Sequence, residues 1–311
     1  MLKVMQIAMN TVDLAGSLRL YAEVFGFRNA LGQTLWGDLI GLQGLPSSSR
    51  TLVWWMVGSQ TEFQLEFFHH TEPPIRSKPD DWRPSDRGWV RFGVRVAAFG
   101  HCVGSLAQHG IGLLGPIVGQ DGNRSGAFLD PYSGVVVHFI EDETATTGPI
   151  IDYATSSVSD LNGARQFYGE LLGLDLSSIE HCQGSVEDAL WGLEGATKNR
   201  FHAYAGGINL EIVQYVDPPG RARPSDYRIA DQGIPNVALG THDVVEAVAV
   251  FERLARVGIV PPRLLKTENI VAGYVTEADR EVELFAFPVE ALPALGFTAG
   301  PMFLNDAFKK N

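Results

Sequence analysis

The chain has 311 residues, a formal charge of −12, and 45% hydrophobic against 19% charged residues. Its length suits two domains of roughly 150 residues, and its composition excludes a disordered chain. The acidic balance argues against nucleic acid, whose phosphates call for clustered Lys and Arg, and against an anionic membrane surface. Two cysteines, Cys102 and Cys182, make no disulfide framework and lack zinc-type spacing. The opening MLKVMQIAMN has no signal-peptide pattern and no apolar run reaches membrane-spanning length, so a cytoplasmic protein is expected.

In chain order, residues 4–11 form a short β-prone run, and Asp13 then opens a helical pattern as an N-cap. Leu18, Tyr21, Ala22 and Phe25 share one helical face, and Gly26 is a C-terminal stop. Strand-like runs follow near 33–42, 50–58 and 61–70. A segment rich in Pro, Arg and Asp (71–87) then crosses over, with Pro73 and Pro74 barring any continuing strand. After Gly88 the order recurs: strand 89–96, helix 99–109, strands near 112–118, 124–129 and 134–140. Further units open with strands at 150 and 234, and Asp243 caps a helix through about 257. Cys102, on a helix, is expected to pack rather than react.

The second half repeats the first. Residues 66–88 align without gaps to 211–233, and nine of the 23 positions are identical, where chance gives about one or two. VDLAGSLRLYAEVFGF (12–27) also aligns with VSDLNGARQFYGELLGL (158–174), placing Asp13 over Asp160, Tyr21 over Tyr168 and Gly26 over Gly173. Each copy therefore reads strand, helix, strand, strand, strand, twice. In the two crossovers, Arg83 with Asp86 and Arg228 with Asp231 are expected to form ion pairs and turn bonds.

These helix-opening runs, together with FLDPYSGVVVHFIE (128–141) and YVTEADREVELFAF (274–287), resemble the vicinal oxygen chelate superfamily. That group includes glyoxalase I, bleomycin-resistance proteins and extradiol dioxygenases. The second closing hairpin departs from the pattern by lacking the Asp-Pro. The resemblance implies an α+β fold of four βαβββ modules forming two cupped mixed-sheet domains. Residues 1–145 would make the first domain (modules 1–70 and 88–141), and 146–288 the second (modules 150–216 and 233–288). The extension 289–311 would dock on this body or on another subunit, giving a homodimer.

In that superfamily, chemistry sits on inward-facing positions of each module's first and last strands. Counting seven residues back from each capping Asp gives Gln6, Tyr153 and Asn236, and the repeat places Arg91 over Asn236. The last-strand positions are Glu66, His138, Glu211 and Glu283. Period-two alternation turns these to one face of their strands. Glu66, His138, Glu211 and Glu283 are the candidate catalytic groups; Gln6, Arg91, Tyr153 and Asn236 are candidate substrate contacts.

Two module pairings are open. Neighbouring modules would gather Gln6, Glu66, Arg91 and His138 in one cup and Tyr153, Glu211, Asn236 and Glu283 in the other. Outer-with-outer pairing would instead gather Gln6, Glu66, Asn236 and Glu283, the glyoxalase I pattern with its His replaced by Asn. A divalent cofactor (Fe, Mn, Ni or Zn) would be held by Gln6, Glu66, His70 and His138. The His/His/Glu triad of a ring-cleaving dioxygenase is absent, since Tyr153, Asn236 and Glu283 stand in its place.

Buried carboxylates move protons near neutrality even without metal. The expected function is thus proton-transfer isomerase or lyase chemistry on a small aromatic or carbonyl compound. The alternative is a binding or sequestering protein without turnover. Trp36, Trp54, Trp55, Phe63 and Phe68, with Tyr204, Tyr215, Tyr274 and Phe285, lie on or beside cup strands and favour a flat apolar or aromatic ligand. The helix and loop contexts of His101, His109, His181, His202 and His242 suggest no site.

Overall fold

A computed structural model describes residues 1–120 and 122–300 of the chain. Four modules follow one another. The first is β1 (Lys3–Asn10), α1 (Leu14–Phe25), β2 (Arg28–Leu35), β3 (Arg50–Val57) and β4 (Gln64–Glu72). The second is β5 (Gly88–Val96), α2 (Phe99–Gln108), β6 (Val118–Gln120), β7 (Asn123–Leu129) and β8 (Val136–Glu141). The third opens with β9 (Ile150–Ser157) and α3 (Leu161–Arg165), which widens into a π-type turn at Gln166–Leu171. It continues through β10 (Asp175–Leu176), β11 (Glu180–Gln183), α4 (Val186–Leu190), β12 (Thr197–Ala205) and β13 (Ile208–Asp217). The fourth is β14 (Asn236–Thr241), α5 (Val244–Arg256), β15 (Leu264–Lys266), β16 (Val271–Glu277) and β17 (Arg280–Ala286).

Local chemistry sets the element ends. The Asp13 carboxylate accepts from the Gly16 N–H, and Asp243 accepts from both Val245 and Glu246. Gly26 closes α1 at φ 82°, a left-handed conformation suited to glycine. Two expected strands are displaced. The run at 33–42 gives way to β2, whose Asn29 and Ala30 pack inward, followed by a 3-10 turn at Ile40–Gln43. Residues 112–117, containing Gly112, Gly115 and Pro116, form no strand before β6.

Sheet order settles the pairing. One sheet runs β15-β16-β17-β14-β1-β4-β3-β2, and the other β10-β12-β13-β9-β5-β8-β7-β6. The first module therefore joins the fourth through antiparallel β1–β14, and the second joins the third through β5–β9. Pairing of the first module with the second, and of the third with the fourth, does not occur. The halves 1–145 and 146–288 are copies along the chain, but each cup takes one module from each copy. Inside each module the first strand runs parallel to the last, as β1–β4, β5–β8, β9–β13 and β14–β17.

The helices cover the backs of both sheets. Leu18, Tyr21 and Phe25 of α1 meet Phe67, Phe92, Phe128 and Phe139 in one continuous apolar cluster, which also takes in Phe251 and Leu254 of α5. Cys102 belongs to it, its thiol donating to the Val24 carbonyl and pushed up to about 12 by burial. It packs, as expected. Among the described residues no helix is long and apolar enough to cross a membrane.

The crossovers lock the modules by exchange. Arg83 and Arg228 make the expected i,i+3 pairs with Asp86 and Asp231. Each aspartate also receives an arginine from the other crossover: Arg221 reaches Asp86 at 2.7 Å, and Arg76 reaches Asp231 at 2.5 Å.

Residues 289–300 dock on the body. Leu292, Leu295 and Phe297 pack on Ala272, Phe285 and Phe287, Gly296 lies against Trp55 and Gln64, and the Gly300 N–H donates to the Asn29 carbonyl. This segment thus passes over the open face of the β1/β14 sheet. The remainder of the extension, 301–311, lies outside the described residues.

Candidate functional site

Period-two alternation and the observed pairing gather two polar sets, one in each cup. In the outer cup, β1 and β14 meet at Gln6 opposite Ala238. Ala8 stands beside Glu66, and Ala238 beside Glu283. These fully buried alanines keep the floor low between the two glutamates. Trp55 flanks Glu66 on β3, and Tyr274 flanks Glu283 on β16.

Few partners meet these polar groups. Trp55 Nε1 donates to Glu66 Oε1 at 2.8 Å, and Asn236 Nδ2 approaches Glu283 Oε2 at 3.5 Å. Gln43 Nε2 donates to the Tyr274 hydroxyl at 3.3 Å. Glu66 Oε2, Asn236 Oδ1, Gln43 Oε1 and both amide atoms of Gln64 are buried without a protein partner. Orphaned buried polar atoms are costly and scarce in folded proteins, so such a concentration in one cup sets it apart from the apolar core.

Burial and the neighbouring Glu283 charge push Glu66 well above the ordinary carboxyl range. Burial raises Glu283 to about 7, against a partly opposing hydrogen bond from Tyr274. Both carboxyls thus keep their protons to higher pH than an ordinary glutamate.

The inner cup is built differently. Arg91 is 1% exposed, and its Nη2 donates to Glu211 Oε2 at 2.6 Å. Thr155 and Arg200 complete the carboxylate's shell at 2.7 and 3.1 Å. Burial opposes the Glu211 charge, but Arg91, Lys198, Thr155 and Arg200 outweigh it and hold the carboxyl well below its ordinary range. Glu211 here anchors a guanidinium and is not poised as a base.

His138 Nδ1 lies 2.7 Å from the Tyr153 hydroxyl. The Tyr153 ring lies flat over Gly93, where any Cβ would sit 2.3 Å from it. Burial and Arg91 lower His138 to about 3, so its ring is neutral. A cavity of about 330 Å³ opens above, lined by His138, Tyr153, Trp191, Arg200, His202 and Asn209 among others.

Trp191, Lys198 and Arg200 carried no sequence signal. Trp191 comes from the turn after α4, pinned by the buried Lys198–Asp188 pair at 2.5 Å. His202, expected to belong to no site, lines the inner cavity because β12 places it opposite Glu211.

The metal set Gln6, Glu66, His70 and His138 is not brought together. His138 lies in the other sheet. His70, 2% exposed, is held by Thr51 at 2.6 Å and Asn10 at 3.2 Å, and burial lowers it to about 4. Among the described residues no group of three His, Cys, Asp or Glu is placed to hold a metal ion. An ion in the outer cup fits only with amide help: Glu66 and Glu283 carboxylates plus oxygens of Asn236, Gln6 or Gln64. That all-oxygen set favours a hard ion such as Mn²⁺ over Fe, Ni or Zn.

Of the expected aromatic lining, Trp55 and Phe68 pack on the outer cup face with Tyr274 and Phe285, and Tyr215 packs in the inner cup. Phe63 belongs to the helix-side core, while Trp36 and Tyr204 are exposed.

Comparison with known proteins agrees with this architecture. Residues 150–268 match the model of the Glyoxalase/Bleomycin resistance protein/Dioxygenase superfamily. No curated protein matches the chain. Among solved structures, glyoxalase I from Zea mays superposes with a TM-score of 0.62 at 16% identity, covering 92% of each chain. A Bacillus subtilis protein assigned as a dioxygenase gives 0.60 at 12% identity, over 99% of this chain and 94% of its own. Identities this low speak for the fold alone.

Proposed function

We propose that the chain is a tandem relative of the glyoxalase/bleomycin resistance/dioxygenase superfamily, which residues 150–268 resemble, and that its outer cup performs proton-transfer chemistry, as an isomerase or lyase, on a small carbonyl compound. The observation that carries this is the neighbouring Glu66 and Glu283, Glu66 raised well above the ordinary carboxyl range and Glu283 to about 7, amid unpartnered amide oxygens and nitrogens.

One glutamate, ionised, takes a proton from the carbon next to the carbonyl. The other, neutral, delivers a proton to the product. The side-chain amides of Asn236 and Gln64 would hold the carbonyl oxygen as negative charge develops on it. A divalent ion bound by Glu66, Glu283 and the amide oxygens would add positive charge at that oxygen. Burial of Glu66 and Asn236 and the overlying segment 289–300 keep the cup dry, which strengthens each of these interactions.

The test follows exchange of the hydrogen next to the carbonyl in D₂O, by proton NMR, over a panel of 2-oxoaldehydes, aryl ketones and 3-oxo acids, with and without Mn²⁺. Catalysed exchange that disappears in Glu66→Gln is the expected result. Ligand binding without exchange, unchanged in Glu66→Gln, would instead make the chain a sequestering protein.

A further inference from the structure

The outer-cup chemistry makes no use of the inner cup, although that cup has an open cavity of about 330 Å³ and a buried unpartnered group aimed into it. That group is His138 Nε2, on a side chain 6% exposed. Its hydrogen-bond sense follows from its neighbours. Arg91, a pure donor, lies against the Tyr153 oxygen, and Tyr153 stays protonated because burial raises it. If the hydroxyl donates to His138 Nδ1, one atom is left over, the Nε2–H. If Nδ1 donates instead, both the hydroxyl proton and the Nε2 lone pair are left over. The first arrangement wastes fewer buried groups, so the cavity receives an N–H donor.

The charges around the cavity decide what that donor meets. Arg200 is the guanidinium lining it among the described residues, and Glu180, Glu187 and Glu211 all hold it, at 3.2, 3.5 and 3.1 Å. Arg91, beneath the floor, is committed to Glu211. Asp152, also on the lining, pairs with Arg95 at 3.1 Å. Among the described residues no lysine or arginine on the lining is left to receive an anion, and the buried guanidinium repels a metal ion where the outer cup would accept one. The Trp191 ring supplies a flat wall, with Arg91 stacked at 4.1 Å and the His138 ring edge-on at 5.7 Å.

We propose that the inner cup is a second, metal-free ligand site, taking a small uncharged planar compound whose carbonyl or ring-nitrogen acceptor receives the His138 Nε2–H. Asn209 and Arg200 stand at its wall, and Trp191 stacks on its ring. The site is independent of the outer cup, so it survives failure of the catalytic proposal.

The experiment titrates ¹⁵N-histidine-labelled protein with 2-pyridone and benzamide as uncharged probes and benzoate as the charged counterpart. His138 is expected as the neutral Nε2–H form throughout pH 5–8, and the uncharged probes shift its Nε2 resonance. They should bind at least about ten-fold tighter than benzoate, with about ten-fold loss in His138→Phe and no change in Glu66→Gln. An Nδ1–H form, equal or tighter binding of benzoate, or an unmoved His138 at about 10 mM probe overturns the proposal. The resonance in the unaltered protein decides the matter even if His138→Phe folds poorly.

Discussion

Glu283→Gln is expected to lower turnover by about 10²–10⁴-fold while making the protein more stable in mild alkali. The loss follows from the proton count: a glutamine neither takes nor gives one, and the dyad needs one ionised and one neutral member. For the same reason the unaltered protein should show a bell-shaped rate profile, with no base at low pH and no acid at high pH.

The stability gain follows from linkage. Burial raises Glu283 to about 7 from its ordinary 4.5, so between those values the folded state keeps a proton that the unfolded chain has released. Folding is favoured most below 4.5, weakens as pH rises through the window, and levels off above 7. Each unit is worth about 1.4 kcal/mol, so the glutamine variant should gain on the order of 3 kcal/mol at pH 8 and little at pH 4. Urea unfolding at the two pH values checks it. A variant less stable than the parent at pH 8 would show that Glu283 is ionised there at no cost.

Arg91→Ala should be the most destabilising single change in the inner cup, costing about 3–5 kcal/mol. It removes a guanidinium buried against Glu211, Tyr215 and the Trp191 ring, and takes away one of the three hydrogen bonds of a buried carboxylate. Arg200 and Thr155 remain, but Arg200 is shared with Glu180 and Glu187. Replacing both partners, as Arg91→Met with Glu211→Met, should recover most of the loss, because apolar side chains of similar size carry no desolvation penalty. Urea midpoints of the single and double variants measure this. A single-variant loss below about 1 kcal/mol would mean that Arg200 alone satisfies Glu211.

Much of the fold was written in local pattern. Asp13, Asp160 and Asp243 each cap a helix as their spacing predicted, and the duplicated crossovers carry the same Arg–Asp pairs in both copies. The eight strand positions fall on cup faces because alternation fixes a side chain's face whatever the neighbouring strand. Which strand becomes that neighbour is another matter. The β1–β14 and β5–β9 junctions are antiparallel main-chain ladders, and main-chain bonds leave no mark in residue identity.

That gap separated His138 from Glu66 and dissolved the expected metal set. Trp191 and Arg200 were invisible for a related reason. Their place depends on the buried Lys198–Asp188 pair folding α4 over a cup to which the other half of the chain contributes one module. His70 misled because alternation gives the face but not the depth. It points inward, yet Thr51 and Asn10 take up its nitrogens.

Everything catalytic rests on Glu66 and Glu283 both keeping their protons to unusually high pH. Carboxyl ¹³C NMR of glutamate-labelled protein, titrated from pH 3 to 9 with Glu66→Gln and Glu283→Gln for assignment, observes those protons directly. Two signals that titrate well above the ordinary glutamate range are expected, with the Glu66 titration moving down when Glu283 is replaced. Two independent titrations near 4.5, unaffected by the partner's removal, would contradict this.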